Sequence, residues 1–366
     1  VIKLDDDGFF RLRLFYNNLN DKISQPEWAA EKMKESVGPM MDFVDNFPPQ
    51  LIYYPEDKNT FVDEAWFTFD WHTKAISAVN KNFSPSVVIH DIYTPNQMLT
   101  SRWWMGYLDK SSSRYYDVSE EERDVLWSEV FEMYKKLDDM IDEIMANTDE
   151  NSYIVLSSDH GAVPLDRWVN LNNFFAQKGW LKYTIDQKTG EPIIDWKNST
   201  VIYLKMSHVY INPDGLDGDY KRASGEEYEK LRDEVKVALQ NLTDKNGIKP
   251  LTEAVYWEDA KQFMNLDPER VGDLVIANMA GYGWNEEMTA DREIFTIPLK
   301  TGYKQAIDPD TNGMWTPFIM VGPGIEAGRY LGDDPISHID QYPTIMKAMN
   351  KEMPELVQGK SLNIFK

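Results

Sequence analysis

The sequence predicts an α/β protein with a mostly parallel sheet and right-handed crossovers, interrupted by an inserted α+β subdomain. Three segments carry that expectation. Ser86-Val-Val-Ile-His90-Asp91-Ile92 is an apolar run that reads as a buried strand leading into a Thr94-Pro95 turn. Ser119-Glu-Glu-Glu122 has the form of a capping box, and the residues after it place Val125, Val130, Tyr134, Leu137, Ile141 and Ile144 at spacings mostly of three and four, as a helix requires. Ser152-Tyr-Ile-Val-Leu-Ser-Ser-Asp159-His160-Gly161 is a second apolar strand that ends in an acid, an imidazole and a glycine. Strand, long helix and strand in succession are the parts of a β-α-β unit.

Taken in order, residues 1–85 are expected to flank the core. They hold Asp5-Asp-Asp-Gly8, an aromatic-rich Phe9 to Tyr16, the prolines after Phe47 and a helical region from Phe61 to Val79. Residues 86–184 form the first part of the core. In it, Asp166-Arg-Trp-Val-Asn170 reads as a loop, Leu171 onward as a short amphipathic helix, and Gly179 as its stop. Residues 185–265 break the rhythm with the turn-rich Asn212-Pro-Asp-Gly-Leu-Asp-Gly218 and a charged helix from Glu226 to Asn241, so they are expected to form the inserted subdomain or cap. Residues 266–366 return to the core with the strand-like Gly272-Asp-Leu-Val-Ile276 and Thr316-Pro-Phe-Ile-Met-Val-Gly322.

Composition narrows the function. A chain of 366 residues, 42% hydrophobic and 13% aromatic, can bury a large core. A formal charge of −23 argues against a nucleic-acid duplex as partner, which needs a positive footprint, but permits a small phosphorylated ligand held locally. No apolar run is long enough to span a membrane, and no basic start with an apolar stretch marks a secretory signal, so a soluble protein of undetermined compartment is expected. The first residue is Val1, which reads as a processed or incomplete chain. With no cysteine, disulfide and thiol chemistry are excluded. Sequons at Asn198 and Asn241 matter only in a eukaryotic secretory setting.

Asp159 and His160 are the primary site candidates. Carboxylate and imidazole are good ligands for zinc or manganese, and open α/β sheets place their chemistry beyond the carboxyl ends of strands. The order of Ser158-Asp-His-Gly161, Arg167-Trp-Val-Asn-Leu-Asn172, His208-Val-Tyr-Ile-Asn212, Gly322-Pro-Gly324, Asp340-Gln-Tyr-Pro-Thr344 and Gly359-Lys-Ser-Leu362 resembles the alkaline phosphatase superfamily, in its type I phosphodiesterase and phosphohydrolase/phosphomutase branch. The resemblance covers most of residues 86–366. It implies a three-layer α/β/α sandwich and a phosphodiesterase or phosphatase acting on small phosphoesters such as nucleotides. It also implies divalent metals that activate a Thr or Ser nucleophile and stabilise the attacking and leaving oxygens.

This sequence departs from the family pattern in three places. No strand followed by Asp and a spaced Thr or Ser opens the chain, and Asp5-Asp6-Asp7 reads as a solvated turn, so a missing or separate N-terminal segment of the same fold is expected to hold the nucleophile. Where the family places an Asp-x-x-x-His pair, this chain has Asn96 and Thr100 or, shifted by one residue, Gln97 and Ser101, neutral oxygens that are weak zinc donors. Where the family has a Gly-x-His ligand, Gly302-Tyr-Lys304 stands; a lysine repels a metal but can grip a phosphate directly. One metal in place of two follows from these losses. Lys304, Asn96 and Trp104 are therefore substrate-binding candidates, with Trp104 as a pocket wall or stacking face, and His90 and Asp91 are candidate compensating ligands.

His208 reads as a strand residue, His72 as structural, and His338 is not expected to be a ligand. The twelve tryptophans are scattered, which favours packing over a carbohydrate platform. Two functions stay open. One is a hydrolase inactive without its missing segment; the other is a phosphatase-like scaffold that binds a partner, glycan or surface without turnover. A scaffold accounts for ligand replacement in two places, which truncation does not.

Overall fold

The computed structural model describes all residues except 1–2, 15–16, 18, 20–21, 23, 41–47, 219 and 333; Tyr16 and Phe47, at the edges of the aromatic and proline-rich stretches, lie outside the described residues. The chain divides into two compact units. The first comprises Val1–Met98, Asp124–Gly161 and Trp315–Lys366, and the second Leu99–Arg123 and Ala162–Met314.

In the first unit, the helical region expected from Phe61 to Val79 is a helix spanning Lys58–Phe83. It buries Phe61, Ala65, Phe69, His72 and Ile76 at spacings of three and four, with Ala75 and Ala78 beside them, and stops at Ser84, whose φ of +45° breaks the helical repeat. Met33, from the helix Trp28–Val37, completes a small core with Ala75 and Ala78. The capping box expected at Ser119 is formed. The Glu122 backbone N–H donates to Ser119 Oγ at 3.2 Å, and the Ser119 N–H donates to Glu122 Oε2 at 2.8 Å. The helix it opens, Glu120–Ala146, buries Leu126, Val130, Met133 and Met140. The expected face is turned: Val125 and Tyr134 are 56% and 55% exposed. Leu126 and Met133 each lie one residue, or about 100° of helix, from those positions.

The strand expected over Ser86–Ile92 is not formed. Residues 85–93 are irregular, Val87, Val88 and Ile89 are exposed, and among the described residues the segment joins no ladder. An apolar run favours a strand only when a neighbouring edge accepts its hydrogen bonds, and none does here. The Thr94-Pro95 turn is instead the first turn of the helix Thr94–Thr100, where proline needs no N–H partner. The expected strand before Asp159 is present as Ile154–Ser157, but it pairs antiparallel with Phe318–Val321 in a two-stranded sheet. Opposite pairs Leu156/Ile319 and Ile154/Val321 share one face, on which Leu156, Ile319 and Val321 are exposed.

The mostly parallel sheet is also corrected. Among the described strands, the parallel ladder joins Val163–Asn170 to Gly281–Asn285, and the other strand ladders are antiparallel, in sheets of two to four strands. Strand, helix and strand in sequence fix the direction of the two strands only if they are neighbours, and Ile154–Ser157 has a different neighbour.

The second unit holds the larger core, with a four-stranded antiparallel sheet in the order Val201–Lys205, His208–Ile211, Leu274–Asn278, Leu251–Tyr256. The helices Leu171–Gln177 and Glu226–Gln240 contribute Leu171, Phe174, Phe175, Val235 and Leu239 to it. The Asp166–Asn170 segment, expected as a loop, is the end of the strand Val163–Asn170. Two buried polar clamps organise this unit. Asn172 donates to the carbonyl oxygens of Tyr203 and Glu286 at 2.9 and 3.1 Å and accepts the Tyr203 N–H at 2.9 Å. Asp273, fully buried, accepts the Ile211 N–H at 2.6 Å and the Tyr228 hydroxyl at 2.7 Å. It also accepts the Tyr220 hydroxyl, and Arg222 Nε lies at 3.5 Å.

Candidate functional site

Asp159 and His160 follow the strand Ile154–Ser157, in the turn where the ladder with Phe318–Val321 ends. The Asp159 side chain is 77% exposed, and its Oδ2 lies 3.4 Å from His160 Nε2. His160 Nδ1 lies 2.8 Å from the Gly161 carbonyl oxygen. A carbonyl can only accept, so Nδ1 carries a proton and Nε2 is the nitrogen on the side of the Asp159 carboxylate. A carboxylate oxygen and an imidazole nitrogen about 3.4 Å apart match the span of two ligands on one tetrahedral zinc with bonds of about 2.0–2.1 Å. The carbonyl that fixes the ring is the kind of support metal-binding histidines use. These two residues fit half of a metal site; among the described residues no group of three His, Asp or Glu side chains is arranged to hold an ion.

The strand end is braced by Thr316, His338 and the two C-terminal motifs, contacts that the sequence did not foretell. Thr316 Oγ1 donates to the Ser158 carbonyl oxygen at 3.1 Å and lies 3.3 Å from His338 Nε2. With the threonine proton on Ser158, the imidazole Nε2–H donates to Thr316, which assigns the tautomer of His338 by the network. Ser157 Oγ donates to Gln341 Oε1 at 2.8 Å. Asp340 accepts the Lys360 N–H at 2.8 Å, and Gly359 packs so tightly on the Ile339 carbonyl that a Cβ would meet its oxygen at 1.9 Å. The Asp340-Gln-Tyr-Pro-Thr and Gly359-Lys-Ser motifs thus dock together around this loop. No spacing rule would have joined Thr316 to His338, because the link runs between separate loops.

In the second unit the structure brings together two of the segments that depart from the family pattern. Thr301 N–H and Oγ1 both donate to the Ser101 carbonyl oxygen, at 2.9 and 2.6 Å. Gly302 lies so close to Thr100 that a Cβ would stand 2.8 Å from the Thr100 Cα. The Thr100-Ser101 and Gly302-Tyr-Lys304 segments are therefore neighbours, although about two hundred residues separate them in sequence. Lys304 is half-buried beside the fully enclosed Tyr303. Asn96 is half-buried on the helix Thr94–Thr100.

Trp104 is fully buried, with its ring edge-on to Trp103 at 5.7 Å; it is a packing residue in place of the expected pocket wall. His90 Nε2 lies 2.8 Å from His72 Nδ1, with the two ring planes 23° from parallel, so that nitrogen is committed to an imidazole–imidazole hydrogen bond and not to a metal. Burial, and then the neighbouring His72, push His90 down to about 4. Asp91 is exposed. His208 sits in its strand as expected, held below its ordinary pKa by burial.

The type I phosphodiesterase / nucleotide pyrophosphatase family model matches residues 27–296. No curated protein sequence matches significantly. Among solved structures, human ectonucleotide pyrophosphatase / phosphodiesterase 5 is 16% identical with a TM-score of 0.44, over 80% of this chain and 61% of that one. Phosphonoacetate hydrolase from Sinorhizobium meliloti 1021, in complex with phosphonoacetate, is 14% identical with a TM-score of 0.39, over 79% and 57%. The chain thus spans about three-fifths of the length of these solved structures.

Proposed function

This chain belongs to the type I phosphodiesterase / nucleotide pyrophosphatase family, and from that premise we propose that it serves a metal-dependent phosphohydrolase acting on small phosphoesters such as nucleotides. The observation that carries the reading is the Asp159–His160 pair, whose Oδ2 and Nε2 converge at 3.4 Å with the imidazole tautomer set by the Gly161 carbonyl. Asp159 and His160 would hold one divalent ion, zinc or manganese. When bound, that ion would supply positive charge to a phosphoryl oxygen. Asp159 contributes the anionic ligand, His160 the neutral one, and Thr316 with His338 keeps the supporting loop in place. No residue among 1–366 is assigned as the nucleophile.

Metal content of the protein purified without chelator, alongside Asp159→Ala, tests the reading. About one zinc or manganese per chain, lost in the variant, is expected for a site of this ligand set. A chain that takes up no ion when offered either metal refutes it. A second reading is favoured by the replacement of the Asp-x-x-x-His pair by Asn96 and Thr100, or by Gln97 and Ser101, together with Lys304. In that reading the fold binds a phosphorylated ligand, partner or surface without turnover. Metal binding with no hydrolysis of bis(p-nitrophenyl) phosphate or nucleotide substrates would select it.

A further inference from the structure

The helix Glu120–Ala146 carries a second apolar face that its own fold leaves uncovered. At about 100° per residue, Trp127, Phe131, Tyr134, Ile141 and Met145 fall within a stripe about 80° wide along one side of the helix. Trp127, Phe131, Tyr134 and Met145 are each more than half exposed. The buried face, centred on Leu126, Val130, Met133 and Met140, lies about 100° away.

The outward direction of the stripe is fixed by polar ties on the far side of the helix. About half a turn round from it, Lys136 Nζ donates to Asp70 Oδ1 at 2.9 Å, Glu129 pairs with Lys58, and Glu143 accepts the Ser77 hydroxyl, all from the helix Lys58–Phe83. Turning the stripe inward would break these ties.

Acids share the exposed side. Asp138 falls within the stripe, and Asp124 and Asp142 lie on one line along its flank. All three are exposed, and among the described residues none of them forms an ion pair. The cations of the helix are engaged elsewhere: Arg123 Nε donates to the Tyr107 carbonyl oxygen at 3.0 Å, Lys135 meets Glu132 at 3.2 Å, and Lys136 is held by Asp70.

A contiguous exposed apolar stripe marks an interaction surface, and the charge beside it selects the occupant. A second copy is disfavoured: in a two-fold pair of antiparallel helices like flanks face each other, so Asp124, Asp138 and Asp142 would meet the same acids. An anionic lipid surface is disfavoured too, since helices that lie on membranes set lysine and arginine beside the apolar face. We propose that the face from Asp124 to Met145 docks a basic amphipathic helix of another protein, its apolar side chains on Trp127, Phe131 and Tyr134 and its lysines or arginines against Asp124, Asp138 and Asp142. The aromatic rings supply the burial, and the acids set orientation and turn away acidic partners. Docking here requires no ion at Asp159 and His160.

The test uses the full chain and a synthetic helical peptide with leucine on one face and lysine on the other; a second peptide of the same pattern carries glutamate in place of lysine. Methionine methyl groups are ¹³C-labelled for NMR, and Met145→Leu identifies the Met145 resonance. The leucine–lysine peptide should shift that methyl, with an affinity, read by calorimetry, that falls at least about tenfold in Trp127→Ser/Phe131→Ser. Asp138→Asn/Asp142→Asn should weaken binding at least about threefold and flatten its salt dependence. Val237→Ser is the control: Val237 is also exposed on an acidic helix, Glu226–Gln240, and its loss should leave binding unchanged. All these changes fall on exposed side chains, so an unaltered thermal melt should accompany them. The proposal fails if the Met145 methyl does not shift, or if the glutamate peptide binds as well as the lysine one. It fails equally if Trp127→Ser/Phe131→Ser binds as tightly as the parent, which would reduce the effect to general attraction by a chain of net charge −23. A dimer in sedimentation that Phe131→Ser dissociates would assign the face to a second copy, and a Met145 shift on phosphatidylglycerol vesicles would assign it to a membrane; either overturns the proposal. None of these readouts involves turnover or metal uptake, so they leave the hydrolase reading untouched.

Discussion

Asp273 and Asp159 carry the same side chain in opposite settings. Asp273 is fully buried and meets an N–H, two tyrosine hydroxyls and an arginine. Asp159 is largely exposed, with His160 Nε2 at 3.4 Å. The first arrangement compensates desolvation so fully that the carboxylate is a structural tie between the strand His208–Ile211, the loop holding Tyr220 and Arg222, and the helix Glu226–Gln240. The second leaves the carboxylate largely in solvent beside an oriented imidazole, which does little for stability and, under the proposed function, would gather an ion. A buried, satisfied carboxylate and an exposed, oriented one therefore differ in what their loss should do, and the contrast can be measured.

The largest effect is expected at the buried site. Asp273→Ala removes the common acceptor and strands Tyr220, Tyr228, Arg222 and the Ile211 N–H; urea unfolding should show a loss of about 3–5 kcal/mol. A loss below about 1 kcal/mol would mean that water or neighbouring groups replace it, and the contrast with Asp159 would collapse.

A buried base gives the next test. His90 is held below its ordinary 6.5 at about 4, so the folded state resists its protonation more than the unfolded chain does. Its contribution to stability is present above pH 6.5 and is lost as pH falls toward 4; with a shift of this size the loss reaches up to about 3 kcal/mol. His90→Gln keeps a polar partner for His72 and should flatten the stability profile across that window. An unchanged profile would show that the imidazole pair is not what the acid limb reports.

Gly302→Ala should cost about 1–3 kcal/mol, since its Cβ would press on the Thr100 backbone at 2.8 Å. A thermal melt or urea unfolding of the variant reads that loss, and an unchanged stability would show that the Thr100 backbone gives way at little cost. Asp159→Ala should be the mildest for stability, within about 0.5 kcal/mol, as expected for an exposed side chain. Its metal content should nevertheless fall to background. A large stability loss in that variant would make Asp159 a second structural carboxylate and remove the comparison altogether.

Much of the local structure was legible in the residues. The capping box at Ser119 and Glu122, the Lys58–Phe83 helix, the strand before Asp159, the His208 strand and the charged Glu226–Gln240 helix all follow from short-range chemistry: caps, periodicity and runs of strand-forming residues. The burial face of Glu120–Ala146 was misread because Val125 and Tyr134 are apolar yet face water, and apolar character does not state what a residue faces. The segment from Ser86 to Ile92 failed as a strand for a related reason: its composition favours extension, but no described neighbour accepts its hydrogen bonds.

The sequence by itself determined the family and the Asp159–His160 pair, because both are written in contiguous motifs whose order the chain cannot rearrange. It also determined that Asn96, Thr100 and Lys304 depart from the pattern of acids and histidines, since side-chain identity is chemistry. Tertiary structure alone decided strand direction, the enclosure of Trp104, the pairing of His90 with His72 and the link from Thr316 to His338. It alone turned Trp127 and Phe131 outward from the helix Glu120–Ala146. These depend on contacts between residues far apart in the chain. A ring or a charge acquires its partner, its burial and its proton affinity only when packing sets the distance.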